Sequence, residues 1–509
     1  MRKLLGGVFL MVVLFAACEK PQDAGHPFQE VSLGNFAHWQ DRSLRLSNRR
    51  IRLYIDSLRL KERDTTFIDM SCNKYYAARN PYLWINRLGT DLRADTVLSW
   101  LREVDTIGVP AHRVYLEKIR ENLVRLRKYD FDDSHNANRT LASLEYYLTK
   151  AFLRYSGGQR FGFTSPRKIL NRLDYEDEGN PKSYFRQLYD IPVESVGQDF
   201  VDEAISAVRE ENVQAFLEQA QPQGELYRRL VHEYNVGGLD QQQRKTLAVN
   251  IERARWRQKD QRPRRWVFIN IPAQQLVAYD EPNDSMLTMK VCYGSRAHKS
   301  PLLVSRMGWL ELNPYWVVPH SIVRREIVPN HIHDTDYFYR NRYKIIDKET
   351  GDFVEPEDVD AEMLLSGRYR VRQDKGDDNS LGRMIFRFPN EFSIYLHDTN
   401  NKAAFGRASR ALSHGCIRLE KPMALAEFLL REKDDEFLEK LHEAVERPLE
   451  DPEENAAGPK SVMKRCSFDG PIGVYIDYYT CYPAAKGGKI EFYPDVYGYD
   501  AAIAKRLLQ

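Results

Sequence analysis

Between residues 95 and 152 apolar side chains return every three to four positions. Val97, Leu98, Leu101 and Val104 fall on one face, Leu116, Ile119, Leu123 and Leu126 on a second, and Leu141, Leu144, Leu148 and Phe152 on a third. That period predicts amphipathic helices around a shared core. Asp95 is placed to cap the first helix, Gly108 to end it, and Gly157-Gly158 to stop the third. Leu226 to Trp256 runs from one helical stretch into another, broken only at Val236-Gly237-Gly238. Residues 31–262 therefore read as a mostly helical support domain.

From Arg264 the period falls to two. Trp266–Ile271, Trp309–Val318 and Met384–Phe388 read as strands. Gln275–Tyr279 and Leu287–Tyr293 flank Glu281-Pro282-Asn283-Asp284 and predict a hairpin. Phe392, Ile394 and Leu396 alternate with Ser393, Tyr395 and His397, so a strand here turns His397 away from the apolar face. Residues 321–383 are polar, charged and rich in tyrosine, and read as an inserted lid with little to bury. Pro422 suits a first helical turn, with an amphipathic helix from Met423 to about Glu446. A linker, 451–460, leads to strand-like Pro471–Thr480 and Lys489–Tyr493, which return to the body. The fold class is α+β: a helical domain, a mainly β domain at 263–450, and a C-terminal segment at 451–509.

The chemistry concentrates in Ser413-His414-Gly415-Cys416-Ile417-Arg418, with His397 nineteen residues before the cysteine. A thiol attacks as thiolate, and an imidazole beside it takes the proton. Gly415 leaves the backbone near the sulfur open for amide donors to a developing oxyanion. Asp398, through its carboxylate or its carbonyl, is placed to hold the imidazole tautomer. Ser413, Arg418 and the exposed-type residue His414 are poor neighbours for a dry structural thiol. His414 either lines the oxyanion site or steadies the loop. Arg418 either grips a substrate carboxylate or pairs with Glu420, and Arg410 poses the same choice. Tyr395 shares the His397 face. Tyr315 and Trp316 wall a groove or fill a core. His331 and His333 are two apart, but without a third placed ligand they read as a solvated part of the lid and not a metal site.

Leu396-His397-Asp398-Thr399 followed by the Ser413–Arg418 run resembles the signature of the cysteine L,D-transpeptidases of bacterial peptidoglycan. Asn313-Pro314-Tyr315-Trp316, Val318-Pro319, Ser321-Ile322 and Phe388-Pro389-Asn390 are similar to the large, lidded branch of that family, which carries a helical scaffold. The resemblance implies a β catalytic domain, Cys416 as nucleophile and His397 as base, Gly415, His414, Ser413 and Asp398 in support, and Arg418, Arg410, Tyr395 and Trp316 toward substrate. It implies 3–3 cross-links made through a thioester on tetrapeptide stems, with no cofactor. The same site facing water makes a carboxypeptidase or endopeptidase. A silent wall-binding protein is the reading from another class.

Composition alters this little. Hydrophobic content of 42% and 75 basic against 73 acidic residues suit a soluble protein and give no basic excess for nucleic acid. The start does alter it. Arg2-Lys3, the apolar run Leu4–Ala17 and Phe15-Ala16-Ala17-Cys18 resemble a lipoprotein signal, with a tether at 19–30. That predicts lipid on Cys18, a membrane-anchored monomer in the periplasm, and peptidoglycan stems as partners. Export in turn allows Cys466 and Cys481 to pair, while Cys72 and Cys292 read as buried thiols.

Overall fold

The computed structural model describes residues 46–62, 66–86, 89–176, 184–259, 262–334, 336–446, 463–484 and 488–509. The lipoprotein signal with Cys18, the tether and the linker at 451–460 lie outside the described residues.

The helical half is built around the long helix Ala137–Phe161. Leu98, Leu123, Leu148 and Phe152 meet in one buried core, as their spacing predicts. Two local readings change. Asp91, not Asp95, caps the helix Leu92–Arg102, its carboxylate accepting the Arg93 N–H. Gly157 and Gly158 do not stop the long helix. They sit inside it because Ile68 packs where a Gly157 side chain would stand and Phe163 does so at Gly158. Gly162, at φ +93°, ends it. Within this core Glu145 is fully buried and accepts the N–H groups of Leu83, Trp84 and Ile85 and the hydroxyl of Tyr76, which ties the loop after the helix Phe67–Ala77 to the long one.

Eight strands close into a ring. In chain order they are β1 (Arg265–Asn270), β2 (Gln275–Asp280), β3 (Ser285–Gly294), β4 (Leu302–Leu312), β5 (Met384–Arg387), β6 (Leu396–His397), β7 (Ile417–Leu419) and β8 (Arg465–Asp477). Around the wall the order is β5-β6-β7-β3-β2-β1-β8-β4, and β4 pairs back with β5. Alternation then puts Val267, Ile269, Leu276, Val291, Leu310, Phe386, Leu396, Ile417 and Val474 inside, in one core. The predicted hairpin is β2–β3, with Gln275 opposite Lys290 and Asp280 opposite Ser285.

Three further readings change near the C-terminus of the barrel. The predicted helix from Met423 to Glu446 is two, Pro422–Leu430 and Asp435–Glu446, because Asp434 caps the second by accepting the Phe437 N–H. The strand read as Pro471–Thr480 begins earlier: β8 starts at Arg465, and Asp469-Gly470 lies in a bulge where its register on β4 shifts between Ser467 and Ile472. Cys466 and Cys481 are both free thiols. Cys466 belongs to the barrel core, whereas Cys481 packs with Tyr227, Leu230, Leu247 and Ile251 of the helices Glu225–Asn235 and Gln241–Arg255. The extended backbone of β8 holds them apart.

The interval 321–383 is not short of apolar side chains to bury. Val323, Ile327, Phe338, Ile345, Leu364 and Val371 form a core of their own. Trp316–Val317, Tyr369–Gln373, Tyr343–Asp347 and Phe353–Val354 make a four-stranded antiparallel sheet over it. Charge and tyrosine dominate its composition because so small a unit leaves a larger share of its surface exposed than a full-sized domain does.

Candidate functional site

The strand predicted for 392–397 is shorter than its alternation. Ser393 sits at φ +54°, and only Leu396 and His397 join the sheet. Ile394 and Leu396 are buried in the core, and alternation turns Tyr395 and His397 to the other face of the wall, where His397 is also buried and Tyr395 packs against the core's edge. β6 and β7 run parallel, with Leu396 opposite Ile417 and His397 opposite Arg418. Cys416 directly precedes Ile417, whose N–H binds the Tyr395 carbonyl 3.1 Å away. Period-two alternation therefore brings Cys416 and Arg418 out on the same face as Tyr395 and His397, on strands about 4.8 Å apart.

Burial sets the charge state of the pair. His397 is 4% exposed, and its pKa is pulled down to about 3, first by desolvation and then by Arg418. Cys416 keeps a partial opening to solvent, yet the protein packed round it pushes the thiol up to about 11. The Tyr395 N–H, Arg418 and Arg387 act the other way on the sulfur. At neutral pH both groups rest uncharged, so this face of the wall holds a free base and a protonated thiol and no standing ion pair.

Backbone pins shape the cysteine loop. Ser413 Oγ accepts the Gly415 N–H at 3.1 Å and donates to the Cys416 carbonyl at 2.6 Å. Gly415, at φ +120°, turns the chain between them. Its own N–H is thus engaged, which corrects the expectation of a Gly415 oxyanion donor. Among the described residues the Cys416 N–H has no acceptor.

The remaining candidates divide. Arg418 Nε is buried with no hydrogen-bond partner among the described residues, and Glu420 bonds Lys290 instead, so Arg418 stays beside Cys416 and His397. Arg410 does not face substrate. Its guanidinium donates to the carbonyls of Val291, Arg407 and Gln274 and fixes its own loop to β2 and β3. The Asp398 carboxylate does not hold the imidazole. It accepts the Arg383 N–H at 2.9 Å and pairs with Lys402, drawn there by the tight turn at Gly382. Among the described residues His397 Nδ1 is buried without a hydrogen-bond partner, and the backbone groups of Leu381 and Asp398 favour the charged ring. Tyr395 stands edge-on to His397 at 5.8 Å with Arg387 over its ring at 4.7 Å. Trp316 is not in the site: it pairs with Gln373 and packs with Tyr343 against the core of the insert. The His331 ring leans on Phe338.

Sequence reasoning missed what holds His414. Its Nε2 meets Glu326 of the insert at 2.5 Å, and its ring lies 4.3 Å from that of His298, to which Arg325 bonds at 3.2 Å. No local pattern signals contacts across 27 and 88 residues. Arg387 was missed for the same reason. A cavity of about 200 Å³ further round the barrel wall, lined by Trp266, Phe268, Tyr279 and Tyr482, carries no cysteine or histidine and stands apart from this chemistry.

The YkuD model, described as the L,D-transpeptidase catalytic domain, matches residues 264–440, and the Scaffold domain model matches residues 71–233. The chain is also 30% identical over 309 residues to a curated Haemophilus influenzae protein named "Putative L,D-transpeptidase". That match spans 60% of this chain and 59% of its relative. The chain thus joins a segment matching the helical Scaffold domain to a β-barrel segment matching the L,D-transpeptidase catalytic domain, and Cys416 and His397 lie in the second.

Proposed function

We propose that the protein is a cysteine acyltransferase that joins peptidoglycan stems by 3–3 cross-links. The observation that supports it most is the parallel register of β6 and β7, which sets Cys416 and a neutral His397 on one outer face. In this reading the Cys416 sulfur attacks the carbonyl of the penultimate, L-centred residue of a tetrapeptide stem as its proton passes to His397. The tetrahedral oxyanion forms beside the Cys416 N–H, and such a donor is worth about 3–4 kcal/mol. Collapse breaks the C–N bond to the terminal D-alanine. The imidazolium gives its proton to the departing amine, leaving a thioester. An amine of a second stem then attacks, its proton goes to His397, and the sulfur leaves and is reprotonated. Arg418, whose Nε has no hydrogen-bond partner among the described residues, would bind a substrate carboxylate in this reading.

Incubation with a defined disaccharide-tetrapeptide, with products identified by mass, tests this. A cross-linked dimer short of one D-alanine is expected. Tripeptide alone makes the protein a hydrolase, and unchanged substrate overturns the reading. The Phe15–Cys18 run supports lipid on Cys18 and a periplasmic, membrane-held chain. Cys18→Ser should move the protein out of the membrane fraction, and unchanged retention contradicts the anchor.

A further inference from the structure

We infer that Ser300 and Tyr497 are positioning residues that aim the Cys416 N–H at the oxyanion; the inference rests on the acyl-transfer reading above. Ser300 Oγ donates to the Gly415 carbonyl at 2.7 Å. In a trans peptide the carbonyl and the following N–H point in opposite directions. Ser300 is fully buried beneath the loop, so fixing the Gly415 oxygen toward it turns the Cys416 N–H the other way, beside the sulfur. Ser413 pins the groups on either side, the Gly415 N–H and the Cys416 carbonyl. The donor next to the nucleophile is the one left without an acceptor among the described residues.

Ser300 is itself held on both sides. Its Oγ accepts the Gly294 N–H at 2.9 Å, and its N–H donates to the Tyr497 hydroxyl at 3.0 Å. That hydroxyl in turn donates to the Gly294 carbonyl at 2.6 Å. The four bonds use each donor once. Gly294 permits the closeness, since a side chain there would collide with the His298 carbonyl and the Ser300 nitrogen. Tyr497 is 3% exposed and stacks on Tyr478 at 5.7 Å, and its N–H is bound by the Tyr478 hydroxyl. The support of the catalytic amide thus comes from a segment that follows β8, outside the residues the catalytic-domain model matches.

A pinned amide matters only where negative charge develops on oxygen, so two reactions of the same thiol separate the roles. Alkylation of Cys416 by iodoacetamide forms no oxyanion, whereas acylation by a tetrapeptide donor does. Ser300→Ala and Tyr497→Phe should slow acylation by about 10- to 100-fold, somewhat less than outright removal of a donor. Alkylation should change less than about twofold, and Ser300→Thr, which keeps the hydroxyl, should restore acylation if its methyl is accommodated. Equal losses in both reactions mean a deformed loop and overturn the inference, as does unaltered acylation. Should Ser300→Ala fail to fold, Tyr497→Phe alone decides, because it keeps the ring and removes one hydroxyl. A parent protein that is never acylated overturns the acyl-transfer reading instead.

Discussion

Each member of the Cys416–His397 pair is held by its surroundings in the neutral form, and that sets the pH behaviour. His397 titrates near 3 in the folded chain against 6.5 for a free imidazole. Between those values the unfolded chain binds a proton that the folded one does not, so stability falls as pH drops through the window. The Cys416 thiol, raised to about 11 from 9.0, has the mirror effect: the unfolded chain ionises first, and stability falls as pH rises from 9 to 11. For reactivity, alkylation of Cys416 should climb about tenfold per pH unit through neutrality and flatten only near pH 11. A plateau between pH 6 and 8 would mean a standing thiolate–imidazolium pair. His397→Ala should lower turnover by about 10²–10⁴-fold, the usual contribution of a general base, with the fold retained by circular dichroism. Loss below tenfold would remove His397 from the proton path. Cys416, His397 and their shared face were legible in the sequence because period-two alternation is a local property. The structural Arg410 was not, since Val291 and Gln274 reach it only in the folded chain, and the Gly415 N–H on Ser413 and the Asp398 carboxylate on Lys402 turn on loop geometry that alternation does not specify.

At the scale of elements, the insert acts as a folded piece. Its core of Val323, Ile327, Phe338, Ile345 and Val371 gives it cooperative structure, so it should move as one body about its ends. The clasp on the catalytic loop is small: Glu326 on His414 and Arg325 on His298. Half-exposed pairs of this kind contribute little, about 0–1 kcal/mol, which suits a contact that must open for substrate. Glu326→Gln should therefore raise the rate at which a bulky maleimide labels Cys416 by a few-fold, while amide exchange at Ile345 and Val371 stays slow. Unchanged labelling would show that the clasp does not limit access. The sequence reading expected the inserted lid to bury little, because its apolar residues are spread over several short elements and form no long periodic run. The long helix shows the converse. Its glycine pair looked like a stop, and it is a packing seat for Ile68 and Phe163 that only the tertiary contacts disclose.

Over the whole molecule, the C-terminal segment locks the two domains together. Arg253 of the helix Gln241–Arg255 meets Asp500 at 2.6 Å, and Asn250 and Thr480 complete a buried network with it. Lys299, next to Ser300, bonds Asp174 of the helical half at 2.5 Å. The helical half thus braces the loop next to Ser300, a role no stretch of helix advertises in its own sequence. All of this serves one claim, that Cys416 carries the acyl group. Intact-mass measurement of the protein after brief exposure to a disaccharide-tetrapeptide tests it most directly. The account predicts an adduct equal to the donor less D-alanine, located at Cys416 by peptide mapping, labile to hydroxylamine and absent from Cys416→Ala. Cross-linked product from an enzyme that never shows the adduct, or product from the Cys416→Ala variant, would contradict it.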